Sequence, residues 1–194
     1  MIEDRETTGD TSPAIEVVVI RRATDLDPYV EAIVSVYDRA FREPPYNHGA
    51  SAAAGFREAL MAHRNYLDFE AILLLDAGRL LGFVYGHTNG PEHWWYRQIA
   101  PSLRPRIRAD VFDNAWVVVE LAVDPGARRR GYGRRLLQAT MRGKTNPWVV
   151  LTTLDADSPA VRLYDEEGFR PLLTSFVFTE GMGHWLVLAR RPNQ

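Results

Sequence analysis

The sequence predicts an α/β (α+β) fold in which one central mixed β-sheet is flanked by helices. Apolar runs and helical stripes follow one another in the order β, α, α, β, β, β, α, β, α, β, β. The run from Ala115 to Val123 is rich in β-branched residues, as expected of a strand covered on both faces. With 194 residues, 46% of them hydrophobic, the chain can bury one large core. We therefore expect a single domain over residues 14–194, preceded by a disordered tail over residues 1–13.

Composition excludes several functional classes. A formal net charge of −2 argues against a nucleic-acid partner. The absence of cysteine excludes disulfides, a thiolate metal site and a cysteine nucleophile, and it fits a reducing cytoplasm. The histidines lack metal-ligand spacing, so no metal is predicted. No apolar run reaches the length of a membrane span and the polar start does not read as a signal peptide, so we expect a cytoplasmic protein without a membrane partner.

The first half of the chain reads as a strand, two helices and a hairpin. The strand covers Ile15 to Ile20, and the helices begin near Pro28 and at about Ala50. The loop from Glu43 to His48 between these helices is stiffened by proline, and it is either a ligand-contacting loop or a rigid connector. The hairpin pairs the runs Phe69 to Leu75 and Leu80 to Tyr85.

A long insertion over residues 88–114 follows the hairpin. Structureless connections of this length are uncommon unless functional, so we expect a substrate lid or wall with a short helix inside it. The aromatic residues of the insertion would enclose a substrate pocket or plug the core. They are Trp94, Trp95 and Tyr96.

The strand that ends at Val123 leads into an anion site. Asp124-Pro125-Gly126 stops the strand, and Gly131-Tyr132-Gly133 falls where the next helix begins. The first backbone N–H groups of a helix lack internal partners, and the positive end of the helix dipole adds to the neighbouring arginines. The pattern predicts a phosphate site. It fits neither a P-loop, for lack of a Gly-Lys-Ser/Thr ending, nor a dinucleotide fingerprint, for lack of the third glycine.

The remaining elements are a strand, a helix and two more strands. The strand covers Trp148 to Thr153, and the helix has capping residues from Asp155 to Ser158 followed by Pro159 at its first position. The last strands are predicted over Leu172 to Phe178 and His184 to Ala189.

Two motifs in this order resemble those of the GNAT superfamily of N-acetyltransferases. The pyrophosphate signature of that family, Gln/Arg-x-x-Gly-x-Gly/Ala, is matched by Arg128, Gly131 and Gly133. A later pattern, Asn-x-x-Ala-x-x-Leu/Phe-Tyr-x-x-x-Gly-Phe, is matched from Ala160 to Phe169, with Asp157 where asparagine is usual. The element order also agrees, so the resemblance covers nearly the whole domain, while the long insertion lies outside the pattern.

The resemblance implies acetyl-CoA, or another short acyl-CoA, as the cofactor. Its pyrophosphate would be held by backbone N–H groups at the helix start, and its pantetheine arm would lie between two splayed strands. Backbone groups of Leu121 and Val123 would bind the pantetheine and polarise the thioester carbonyl. The implied cofactor-binding residues are Leu121, Ala122, Val123, Arg128, Arg129, Arg130, Gly131, Tyr132, Gly133, Arg134, Asp157 and Ala160.

Tyr164 and Glu120 are the candidate catalytic residues. The resemblance implies that Tyr164 is the general acid that protonates the coenzyme A thiolate. Glu120 is the candidate base, because a carboxylate in an apolar strand either faces a polar cavity or pairs with a cation or the backbone. Strict alternation places Glu120 on the face of Val118 and Ala122, whereas family bases match the opposite face, and a β-bulge would re-aim the side chain.

Several assignments stay open at this point. If Glu120 is structural, the base is a water chain or one of His48, Glu43, Glu92 and His93. The expected activity is direct transfer of acetyl to a small-molecule primary amine, with Glu43, Glu92 and Asp110 available to hold a cation. The alternatives are acetylation of a protein lysine or N-terminus, and a non-catalytic acyl-CoA-binding module. Because the last strands of this family often mediate dimers, a homodimer is a further expectation.

Overall fold

A computed structural model describes residues 15–178 and 183–192. The tail expected over residues 1–13 lies outside the described residues. Within the described part, seven strands form one sheet. They are β1 (Glu16–Ile20), β2 (Glu70–Asp76), β3 (Arg79–Thr88), β4 (Trp116–Val123), β5 (Val149–Leu154), β6 (Arg170–Phe176) and β7 (Trp185–Arg190).

The helices connect these strands in the predicted order. They are α1 (Val30–Phe41), α2 (Ala52–His63), α3 (Trp94–Ile99), α4 (Pro105–Ile107), α5 (Tyr132–Met141) and α6 (Pro159–Glu166). The helix predicted to start near Pro28 begins as a 3-10 turn, Ala23–Tyr29, and α1 proper starts at Val30. β3 extends to Thr88, past the predicted strand end at Tyr85.

The sheet order is β1-β2-β3-β4-β5-β7-β6. β4 and β5 run parallel, and the other neighbouring pairs are antiparallel. This arrangement confirms the predicted mixed sheet flanked by helices.

Helices cover both faces of the sheet. α5 and α6 pack on one face, where Leu136, Leu137 and Tyr164 join a core with Val118 and Leu151. α1 and α2 cover the β1-to-β4 half of the opposite face, burying Ile33, Tyr37, Phe56 and Leu60 against β2 and β3. The central strands β2, β3 and β4 contribute side chains to both of these cores.

The insertion covers the rest of that second face. Ile99, Leu103 and Phe112 are buried and form a third core with Val117 of β4 and Val150 of β5. Ile99 and Leu103 are four residues apart, as on one helix face, but only the aromatic residues of the insertion were expected as possible core residues. Two of these, Trp95 and Tyr96, pack against this core. The insertion therefore packs as part of the domain, and its predicted role as a substrate lid or wall stays a prediction.

Candidate active site

β4 and β5 separate partway along their length. They pair only over three positions, Trp116 to Val118 against Val149 to Leu151. Beyond Val118 the β4 edge facing β5 is free, and a cleft of about 610 Å³ opens there. The splay that the resemblance implied is therefore present, and it exposes strand-edge backbone groups as hydrogen-bonding sites.

A β-bulge in β4 sets which side chains face the cleft. Tyr85 of β3 opposes Glu120, but the next residue, Gly86, opposes Val118, so Val119 is the extra residue. Before the bulge Val118 packs toward α5, and after it Leu121 packs toward α5 while Ala122 joins the α1 core. As the direct cross-strand partner of Tyr85, Glu120 shares the face of Ala122 and α1. The strict alternation that grouped Glu120 with Val118 was therefore wrong, and the alternative, a β-bulge that turns Glu120 to the other face, is confirmed.

The loop between β4 and α5 forms one end of the cleft. Arg129 (φ +65°) and Gly131 (φ +76°) adopt left-handed conformations, and Gly131 is the residue before the first turn of α5. The carboxylate of Asp124 fixes the loop by accepting from the Gly126 N–H at 3.0 Å and from Arg39 at 2.6 Å. The unpaired N–H groups at the start of α5 consequently lie at the cleft wall.

Acidic neighbours partly neutralise the arginines at this end. Arg128 pairs with Glu43 and donates to the Ala40 carbonyl at 3.0 Å. Arg134 pairs with Glu166 and with Glu167, the latter at 2.9 Å. In the described part of the chain, Arg129 and Arg130 are exposed and make no ion pair. At this end of the cleft the backbone N–H groups are thus the fixed hydrogen-bond donors for an anion. Arg129 and Arg130 are the arginines of this described loop whose charges are not already paired with a carboxylate.

α6 closes the other side of the cleft. Ser158 caps the helix by accepting from the Val161 N–H at 3.2 Å, and Pro159 occupies the first helical position. Ala160 and Tyr164 line the cleft. Asp157, placed where the family pattern has asparagine, is exposed and pairs with Arg162. Among the predicted cofactor-binding residues, Asp157 and Arg130 lie outside the cleft lining and the others form part of it.

Glu120 and Tyr164 line the same cleft, and burial shifts both of their pKa values. Burial raises the pKa of Glu120 to about 8, opposed by a hydrogen bond from the Leu121 N–H. Burial, with Tyr46 and Glu120 nearby, raises the pKa of Tyr164 well above its ordinary range. Tyr164 is therefore protonated at neutral pH, and Glu120 can exchange a proton near that pH.

Three further tyrosines surround Glu120, and of these the sequence pointed only to Tyr46, whose loop was expected to help enclose a substrate pocket. The negative charge of Glu120 contributes, after burial, to raising the pKa values of Tyr37, Tyr46 and Tyr85. Tyr46 lies in the flagged proline loop, which also lines the cleft. Tyr37 and Tyr85 looked like ordinary core residues. The pairing of β3 with the bulged β4 places Tyr85 at the site, and the packing of α1 places Tyr37 there.

The other predicted acids and aromatic residues are paired elsewhere. Glu43 pairs with Arg128, Glu92 with His93, and Asp110 with Arg106. In the insertion, Trp95 donates its indole N–H to Thr152 Oγ1 at 3.3 Å, and Thr152 lines the cleft. Trp94 is more than half exposed and stacks on Phe178, and Tyr96 donates to Asp113.

A metal site and a membrane-spanning helix are both absent from the described residues. Residues 15–178 and 183–192 contain no group of three or more His, Asp or Glu side chains that could hold a metal ion. None of the helices described there is both long and apolar enough to cross a membrane.

The fold and the cleft together define an acetyltransferase whose splayed parallel strands hold a coenzyme A thioester. Residues 68–171 match the family model described as "Acetyltransferase (GNAT) domain", which is more than half of the chain. The chain belongs to the GNAT acetyltransferase family. Acetyl-CoA is the cofactor of this family, and the free β4 edge and the start of α5 fit its pantetheine and pyrophosphate groups.

The comparisons include one curated relative and many solved structures. The chain is 29% identical over 124 residues to the GCN5-like protein acetyltransferase Rv2170 of Mycobacterium tuberculosis, and the match spans 60% of each protein. A crystal structure of PH1933 from Pyrococcus horikoshii has a TM-score of 0.65 at 17% identity, covering 92% of this chain and 100% of that one. The PaiA N-acetyltransferase from Thermoplasma acidophilum, in complex with coenzyme A, has a TM-score of 0.56 at 13% identity, covering 91% and 99%.

Proposed function

We propose that the chain transfers the acetyl group of acetyl-CoA to a primary amine of a small molecule in a direct ternary complex. The observation that carries this proposal is the bulge that places Glu120, with its raised pKa, in the same cleft as Tyr164. A carboxylate that exchanges its proton near neutral pH suits a general base, and a buried, protonated phenol suits a general acid. We further propose a cytoplasmic location for the enzyme.

Each part of the cleft has a distinct task in this reaction. Backbone N–H groups at the start of α5, aided by Arg129, hold the pyrophosphate, and the free β4 edge binds the pantetheine. The cofactor supplies an acetyl group activated as a thioester. Glu120 accepts a proton from the acceptor nitrogen, and the Tyr164 hydroxyl holds the proton that the leaving sulfur takes up. The absence of cysteine excludes a cysteinyl acyl-enzyme and supports direct transfer.

Two aromatic contacts support a small acceptor. The Tyr46 hydroxyl lies 3.4 Å from Thr153 Oγ1, so the α1-α2 loop reaches across to β5. Trp95 contacts the neighbouring Thr152 from the insertion side. Both contacts bring an aromatic side chain to the β5 side of the cleft, an arrangement that favours a small acceptor over an extended one. Glu120 is then the carboxyl group that meets the acceptor nitrogen, because Glu43 and Asp110 are paired with arginines and Glu92 contacts the ring of His93.

A protein or peptide amine is the second candidate acceptor. The observation that favours it is the similarity to the mycobacterial relative, a GCN5-like protein acetyltransferase. A homodimer through the last strands also remains a proposal, independent of the acceptor.

Release of free coenzyme A thiol from acetyl-CoA tests the proposed function. We expect acetyl-CoA to raise the melting temperature, and thiol release to be stimulated more strongly by amines from a small-molecule panel than by lysine-containing or N-terminal peptides. Stimulation by peptides alone would establish the second candidate. Binding of acetyl-CoA without turnover on any amine would contradict an enzymatic role and indicate a binding module.

Replacing Tyr164 by phenylalanine is expected to lower kcat by about 10²-fold, a typical value for loss of one general acid. KM for acetyl-CoA should change little, because the ring packing against Phe169 is kept. The measurement is steady-state thiol release together with thermal unfolding of both proteins. Wild-type turnover in a stably folded Tyr164→Phe variant would contradict the acid role.

A further inference from the structure

A tyrosine-histidine pair, Tyr37 of α1 and His48 of the following loop, lies on the α1 side of Glu120. The Tyr37 hydroxyl is 3.1 Å from His48 Nδ1. The Tyr37 ring is buried and stacked on Phe56 at 3.8 Å, so its position is fixed. Tyr37 lies in the same core as Tyr85, the cross-strand partner of Glu120, and the charge of Glu120 contributes to raising the pKa of Tyr37. His48 is partly exposed and follows the loop segment that lines the cleft. The pair thus extends from the core that Glu120 faces toward solvent.

The chemistry of the proposed reaction creates a need for such a connection. An aliphatic primary amine, with a pKa of about 10, arrives mostly as the ammonium ion. The balanced reaction is R–NH₃⁺ + CH₃CO–SCoA → R–NH–COCH₃ + HSCoA + H⁺. One proton per turnover must therefore leave the active site. If Glu120 accepts that proton, it must lose it before the next turnover, from a position among buried tyrosines.

We propose that Tyr37 and His48 carry this proton from Glu120 to solvent. The protonated Glu120 donates to the Tyr37 oxygen, directly or across one water molecule, while the Tyr37 O–H proton passes to His48 Nδ1. The resulting imidazolium loses a proton to water, and solvent exchange returns the ring to its starting tautomer. No oxidant or further reactant is needed. This inference rests on the proposed function, because it assigns an exit for the proton that the reaction releases.

The other titratable groups near Glu120 are less suited to this role. They are Tyr46 of the α1-α2 loop, Tyr85 of β3 and Tyr164 of α6. Tyr46 contacts Thr153, and Tyr164 is assigned to the leaving thiolate.

Tyr85 and His63 form a pair similar to Tyr37 and His48, because the Tyr85 hydroxyl lies 3.2 Å from His63 Nδ1. Burial and nearby His93 lower the pKa of His63 to about 4. Only about one His63 ring in a thousand would then be charged at pH 7. His87 beside it has a pKa lowered to about 4, mainly by burial. That cluster resists protonation, whereas His48 is partly exposed and its pKa is lowered by burial alone.

Matched asparagine variants test the inference. His48→Asn keeps an acceptor near the Nδ1 position but cannot carry a proton, and His63→Asn makes the same change in the buried pair. In weak buffer we expect His48→Asn to lower kcat about tenfold or more, with KM for acetyl-CoA unchanged. Added imidazole should restore much of this loss. His63→Asn should leave kcat and its buffer dependence at wild-type values. Thermal unfolding of both variants provides the structural control.

The outcomes separate this inference from the proposed function. A buffer-dependent loss of kcat that imidazole restores, seen in His48→Asn alone, would support proton transfer through Tyr37 and His48. Wild-type kcat in His48→Asn at every buffer concentration would overturn it, as would a loss that imidazole does not restore. Equal losses and equal rescue in both variants would also overturn the choice of this pair. If wild type releases no thiol with any amine, the proposed function fails instead.

Discussion

Replacing Glu120 by glutamine is expected to lower kcat/KM for the amine by about 10²- to 10⁴-fold, the usual range for loss of a general base. Glutamine has nearly the same shape and keeps an oxygen that can accept from the Leu121 N–H, so the fold and acetyl-CoA binding should persist. The measurement is thiol release under kcat/KM conditions for the amine, with acetyl-CoA affinity determined separately. Glu58→Gln, an exposed change on α2, is the matched control and should behave as wild type.

The pH dependence of the same pair of proteins identifies the base. Because the pKa of Glu120 is about 8, only about a tenth of the wild-type enzyme has the carboxylate at pH 7. Wild-type activity should therefore rise with pH and level off above about 8. Glu120→Gln should lack this limb and keep only the dependence due to ionisation of the amine itself. A limb at pH 8 that persists in the variant would assign the base to another group.

Stability gives a readout of the same pKa that does not depend on turnover. The folded chain keeps a proton on Glu120 up to about pH 8, while an unfolded glutamate loses it near 4.5. Between these values the folded state binds more protons, so the free energy of unfolding of the wild type falls as pH rises through this window. Glu120→Gln lacks this contribution. Its stability relative to wild type should increase from pH 4.5 to pH 8 in thermal or urea unfolding. No change in relative stability would mean that the carboxyl is not held in a desolvated site.

The cofactor end of the cleft could be predicted because its information is local in sequence. Gly131 precedes the first turn of α5, a short loop after the buried strand β4, and only backbone conformation is needed to place N–H groups at that point. The cap at Ser158 and Pro159 is equally local. Each motif therefore predicts the helix start that it forms. The splay of β4 from β5 was expected from the family resemblance.

The sequence left the face of Glu120 open between strict alternation and a β-bulge, because the choice depends on strand pairing. Nothing in the order Val118, Val119, Glu120 indicates that Val119 is an extra residue, since the bulge is defined only against β3. The same pairing brings Tyr85 opposite Glu120, and helix packing adds Tyr37 from α1. The core of the insertion was missed for a related reason. Its buried residues fit against the face formed by β4, β5 and β7, and they follow no regular helical or strand period across the whole segment.

Replacing Gly86 by alanine is expected to be strongly destabilising, because β3 and β4 approach each other too closely there for a side chain. A Cβ atom at this position would lie 1.9 Å from the Val117 carbonyl oxygen and 2.5 Å from the Trp116 ring. Both neighbours are buried, and the oxygen belongs to the backbone of the bulged strand, so relief requires the strands to move apart. We expect a loss of about 3 kcal/mol or more. That corresponds to a fall in Tm of roughly 6–12 °C for a chain of this size.

Gly55→Ala is the matched control for this substitution. Gly55 lies within α2, and a Cβ atom there would meet nothing within 4 Å. Alanine in a helix is favoured over glycine by about 0.5–1 kcal/mol, so this variant should be slightly more stable than wild type. Opposite signs for the two glycine-to-alanine changes would show that the effect at Gly86 arises from the strand contact. Equal, small changes would contradict the close approach.

The functional consequence of Gly86→Ala follows from the bulge. Gly86 is the residue at which the β3-β4 register shifts, and the shift places Glu120 on the face of Tyr37 and Tyr85. Strands that move apart at Gly86 would displace Glu120 while leaving the start of α5 in place. The folded fraction of the variant, measured below its Tm, should therefore keep acetyl-CoA affinity and lose kcat with the amine. A catalytic base displaced by even about 1 Å loses much of its contribution to the rate. Wild-type kcat in the folded fraction would therefore mean that the position of the Glu120 carboxylate does not depend on the contact at Gly86.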